Sequence, residues 1–84
     1  MNLYVGTNLS GFTKFEVWMY FGVQKQMYYG KFAADGKNHA MAKIPGNTET
    51  SLGLTANVTD SGYCLQLMPS EDLDFYVTRV VGYR

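Results

Sequence analysis

Thr13-Lys14-Phe15-Glu16-Val17-Trp18-Met19-Tyr20-Phe21, a break over residues 22–25, and then Gln26-Met27-Tyr28-Tyr29-Gly30-Lys31-Phe32 form the stretch on which the fold turns. With residues 22–25 as the loop of an antiparallel hairpin, Glu16 falls opposite Lys31, Trp18 opposite Tyr29 and Tyr20 opposite Met27. The alternate positions then pair Phe15 with Phe32, Val17 with Gly30, Met19 with Tyr28 and Phe21 with Gln26. Directly opposed residues of an antiparallel pair share a face and interact. An opposite-charge pair and an aromatic pair fall into register together, which singles out this pairing. The second set reads as a core face.

The first set is the informative one. It places Trp18, Tyr20, Met27 and Tyr29 together on the outward side, rimmed by Lys14, Glu16 and Lys31. An aromatic cluster inside a charged rim has the composition of a recognition surface rather than of ordinary solvated sheet. Trp and Tyr supply large contact area at low entropic cost and recur as interface anchors. These seven residues are the candidate partner-binding site. The competing reading is that a second layer or a second copy of the chain covers the face, and a homodimer through Trp18 and Tyr29 satisfies both readings.

Outward from this hairpin the chain continues as short extended runs. Residues 2–6 read as a first strand. Asp35-Gly36 carries the signal of a tight two-residue turn, because both central residues tolerate positive φ. A strand from His39 to Ile44 follows and is stopped by Pro45-Gly46, with Asn47 to Thr50 as a polar connection. Ser51 to Val58 alternates strictly, and with Thr59 to Gly62 as loop it pairs Val58 with Tyr63, Ala56 with Leu65 and Leu54 with Leu67. Pro69 to Asp72 turns the chain into a last strand from about Asp74 to Tyr83. No amphipathic run of three helical turns occurs. The expectation is one all-β domain over residues 1–84: a small antiparallel β-sandwich or barrel of about six to seven strands, built from consecutive hairpins and with no substantial helix.

Bulk composition agrees with this. Hydrophobic residues make up 46% of the 84 and aromatic residues 15%, too many for a disordered chain. Formal net charge is zero, whereas a dedicated nucleic-acid binder usually carries a basic excess. Tyr28-Tyr29-Gly30-Lys31-Phe32 and Gly11-Phe12-Thr13-Lys14-Phe15 resemble in composition the base-stacking platforms of five-stranded barrels but match no defined motif. The single Cys64 excludes an internal disulfide and points to a reducing, cytoplasmic location. The N-terminal residues lack the pattern of a signal peptide, and no apolar run is long enough to span a bilayer as a helix.

The remaining chemistry-bearing residues carry weaker signals. Glu71, Asp72 and Asp74 cluster in a turn without a calcium-loop pattern. His39 and Cys64 are each the only residue of their kind, and a nucleophile pair needs a third, orienting group. Arg79 shares a face with Phe75, Val77 and Val81 if the last strand alternates without interruption. No glycine-rich phosphate loop, zinc spacing or serine elbow occurs. The sequence therefore reads as non-catalytic, with no metal and no cofactor, acting on a macromolecular partner, most simply another protein. Inhibitors, immunity proteins and phage or mobile-element accessory factors have this character. A structural homo-oligomeric subunit of virion or tail type, and a carbohydrate- or single-stranded nucleic-acid-binding module, are the alternatives.

Overall fold

A computed structural model describes residues 1–22, 24–46, 48–71 and 74–84, with only the backbone of Thr48, Glu49 and Ser51. Seven strands are present: β1 (Asn2–Tyr4), β2 (Lys14–Phe21), β3 (Gln26–Phe32), β4 (Asp35–Ile44), β5 (Thr48–Thr59), β6 (Cys64–Pro69) and β7 (Phe75–Tyr83). They form one antiparallel sheet in the order β1-β6-β5-β4-β3-β2-β7. The sheet curls into a half-barrel, the all-β architecture expected. Asp60–Gly62 forms a single tight turn closed by the Tyr63 N–H donating to the Asp60 carbonyl, and the described residues include no α-helix. No helix there is long and apolar enough to cross a membrane.

Strands β2 to β6 are a simple meander, and the two terminal strands are added at opposite edges. A flat sheet with one apolar face would leave that face wet; curling turns it inward onto itself. The concave side holds Phe15, Val17, Met19 and Phe21 from β2, Tyr28 and Phe32 from β3 and Met41 from β4. Leu52, Leu54 and Ala56 of β5 and Leu65 and Leu67 of β6 complete it. Val17, Met19, Phe21, Met41, Leu54, Ala56 and Leu67 have no measurable exposure. At Gly30, opposite Val17, a Cβ would lie 2.5 Å from Met41 Sδ, so the glycine lets strand and core approach closely.

The first hairpin has the register read from the sequence, from Phe15–Phe32 to Phe21–Gln26. The second does not. Ala56 faces Leu67, Val58 faces Leu65 and Thr59 faces Cys64, a slip of two residues from the expected pairing. A two-residue slip keeps every side chain on its own face, so alternation alone cannot detect it. The loop explains the choice. Asp60, Ser61 and Gly62 all take positive φ, and the following Tyr63 leaves the β5–β6 ladder. The carbonyls of Gly62 and Tyr63 accept from the N–H groups of Leu9 and Val5, which tie the segment after β1 across the end of the half-barrel.

Three further expectations are corrected. Asp35-Gly36 is not a hairpin turn but the start of β4, where the β4–β5 register shifts between Asp35 and Asn38. Gly36 has φ +75°, and the Asp35 carboxylate accepts from the Lys37 N–H, so turn chemistry is used to build a bulge. The connection placed at Asn47 to Thr50 is part of β5 from Thr48 onward, Asn47 lying outside the described residues. Last, β7 bulges at Thr78: Trp18 faces Arg79 while the next residue, Met19, faces Val77. Arg79 therefore points outward, away from the face of Phe75 and Val77.

Candidate functional site

The bulge at Thr78 organises the outward face. Before it, Phe75 and Val77 face the core alongside Phe21 and Met19; after it, Val80 and Gly82 do so alongside Val17 and Phe15. One extra residue restores the inward run and swings Arg79 to the outside. The Thr78 hydroxyl secures the bulge by donating to the Trp18 carbonyl at 3.3 Å. Bulges commonly re-aim side chains in this way and are frequent beside functional sites.

The result is a face three strands wide, with β2 in the middle, β3 on one side and β7 on the other. Its rows are cross-strand neighbours. Trp18 packs against Tyr29 with ring centroids 5.0 Å apart, and the Arg79 guanidinium lies 5.0 Å from the Trp18 ring on the opposite side. Tyr20 packs against Tyr76 at 5.5 Å and faces Met27 across the β2–β3 ladder. Glu16 receives hydroxyl hydrogen bonds from Tyr29 of β3 on one carboxylate oxygen and from Tyr83 of β7 on the other. Lys31 sits opposite Glu16 as expected, but its ammonium lies 4.2 Å from the Tyr83 ring centre. Lys14 is exposed opposite Tyr83.

All seven sequence-derived residues thus fall on one face. The structure adds Tyr76, Arg79 and Tyr83 from β7, which sequence reasoning missed. The strand was legible, but its alternation hides the bulge that turns Arg79 outward. Trp18, Tyr20, Met27 and Tyr29 are half-buried by one another, whereas Tyr76 is 57% exposed. No other described element of the chain is hydrogen-bonded beyond β7, which is an edge of the sheet.

The electrostatics of the face are lopsided. Lys14, Lys31 and Arg79 project from it, and its one acid, Glu16, has both oxygens engaged by tyrosines. Donation to Glu16, then partial burial and the neighbouring negative charge, raise the Tyr29 pKa above its ordinary phenolic value of 10.0. A raised pKa means that the protonated form is favoured in the folded state. The associated stability is present below the ordinary value and is lost as pH rises through the folded one. Absorbance titration near 295 nm should show one tyrosine ionising later in the wild type than in Glu16→Gln. Superimposable curves would break the Glu16–Tyr29 link.

The weaker candidates do not assemble. His39 Nε2 lies 2.9 Å from Asp35 Oδ1, and its ring stacks on Phe32 at 5.0 Å. The His39 contact, followed by the Lys37 N–H, holds the Asp35 carboxyl below its ordinary value. Cys64 is buried on β6, paired with Tyr4 and Thr59, two strands away from β4. Glu71 and Asp74 are exposed, and Asp72 lies outside the described residues. Among the described residues no group of three His, Cys, Asp or Glu side chains is placed to hold a metal ion. Comparison with known proteins finds no matching family, no matching curated protein and no matching solved structure.

Proposed function

We propose that the protein is a non-catalytic binding protein of the reducing cytoplasm that docks onto another protein through the outward face of β3, β2 and β7. The observation that carries this reading is the Thr78 bulge: it aims Arg79 onto Trp18 and completes a face of aromatic rows onto which no other described strand pairs. Trp, Tyr and Arg are the residue types that dominate protein–protein binding energy. A guanidinium over a ring makes its cation–π contact without using its N–H donors, which can still meet a carboxylate.

Charge and ring geometry together favour a protein partner with an acidic rim. Three cations surround a carboxylate that is already occupied, so the face presents net positive charge. Stacking of nucleic-acid bases needs free ring faces beside the cations. Here Arg79 lies over Trp18 and Lys31 over Tyr83, so two of the rings already carry a cation. An acidic protein edge needs only the outer sides of those cations.

Site-specific photocrosslinking tests the reading. A crosslinking residue in place of the exposed Tyr76 should capture a defined protein in cells of the source organism. The same residue in place of Met68, exposed on β6 at the other side of the sheet, should not. Equal capture from both positions, or capture of nucleic acid from Tyr76, would overturn the proposal. Capture of a second copy would reassign the face to a homo-oligomer.

A further inference from the structure

The two sheet edges, β1 and β7, do not pair with each other, and a half-open cavity of about 210 Å³ lies where they face one another across the open side of the half-barrel. Leu3 and Leu65 line it from the β1–β6 side, Phe15 and Val80 from the β2–β7 side, and Leu9 and Phe12 close one end. No charged side chain lines it, and Thr7 brings its only side-chain hydroxyl. We infer that this cavity is a binding site for a neutral, ring-sized apolar molecule.

Size and chemistry both support the assignment. Leu3, Val5, Phe12 and Val80 are half-buried, so the pocket holds apolar surface in contact with water that a bound ring would remove from it. A dry apolar cavity of about 150 Å³ is known to take up benzene, so the larger space here accommodates a substituted ring. With one hydroxyl and no charged side chain in the lining, the pocket offers a polar ligand few partners.

A second space adjoins the pocket. Leu9 and Phe12 are shared with a wider recess of about 470 Å³ at the end of the half-barrel, where Ser10, Thr13 and Ser61 bring hydroxyls. Phe12 stands between the two spaces. Its ring occupies the room left by Gly82, where a Cβ would lie 2.6 Å from Phe12 Cδ1, and packs on Phe15 at 5.8 Å. It is half-buried, and its ring forms part of the wall of both spaces. The site is separate from the aromatic face and stands or falls without it.

Titration of the whole protein with millimolar toluene, followed by methyl and amide NMR, tests the inference. Saturable shifts are expected at Leu3, Leu65 and Val80, with a rise in melting temperature of about 5 °C. Val80→Phe fills the space from one wall and should abolish the response; Leu3→Phe does the same from the other wall if the first variant folds poorly. Absence of saturable shifts in the wild type would overturn the inference. So would shifts confined to Trp18 and Tyr20, which would place toluene on the outer face.

Discussion

Trp18→Ala is expected to weaken partner binding by about 30-fold or more, the loss of at least ~2 kcal/mol that marks a central interface anchor. The ring is not free of structural duties. It contacts Tyr29 and Arg79, and an aromatic pair and a cation–π contact are each worth about 1 kcal/mol. The variant should therefore also lose about 1–2 kcal/mol of stability, near 10 °C in melting temperature for a domain of this size. Arg79→Glu separates the two effects. Arg79 is exposed, so reversing its charge should cost under ~1 kcal/mol of folding free energy while reducing affinity at least ~10-fold against an acidic partner. Surface plasmon resonance against the crosslinked partner, with thermal denaturation in parallel, reads both quantities. Unchanged affinity in Arg79→Glu would remove the acidic-rim argument; unchanged affinity in both variants would remove the face.

Phe21→Ala is expected to come close to unfolding the protein. The side chain has no measurable exposure, meets Tyr28 edge-on at 4.9 Å and packs on Phe75 at 5.8 Å. It joins the central hairpin to the edge strand β7 inside the concave core. Truncating a buried Phe to Ala costs about 3–5 kcal/mol, and a domain of this length has about 4–12 kcal/mol in total. Urea denaturation should show the midpoint falling by about half or the transition disappearing. A loss below ~1.5 kcal/mol would mean that the concave side is not the core. The contrast between positions 18 and 21, three residues apart on one strand, is the energetic signature expected of a sheet with one face inside and the other proposed for partners.

Phe21 and Trp18 could be sorted to their faces from sequence because β2 and β3 offered independent checks on one register. The Glu16–Lys31 and Trp18–Tyr29 pairs, and the apolar run on the other side, agree on a single alignment. The second hairpin lacked such a check. Its inward residues are all aliphatic, so pairings two residues apart look alike until the backbone of Asp60 to Gly62 and its bonds to Val5 and Leu9 decide between them. Asp35-Gly36 misled for a related reason: tolerance of positive φ serves a bulge as well as a turn. Arg79 was misplaced because one extra residue at Thr78 inverts the alternation, and nothing in Val77-Thr78-Arg79-Val80 announces it. The half of the candidate face on β2 and β3 was therefore legible, and the half on β7 depended on a backbone irregularity.

A docking face on β3, β2 and β7 requires that water reach Trp18 in the free protein. As the only tryptophan, it reports on that face directly. Its emission maximum and acrylamide quenching, followed over a dilution series of the purified protein, are the decisive measurement. A half-buried indole on an open face should emit to the red of a buried one, be quenched by acrylamide and show no dependence on concentration. Blue-shifted, protected emission that persists on dilution would show the ring to be sealed within the monomer, and the proposed docking face would fail.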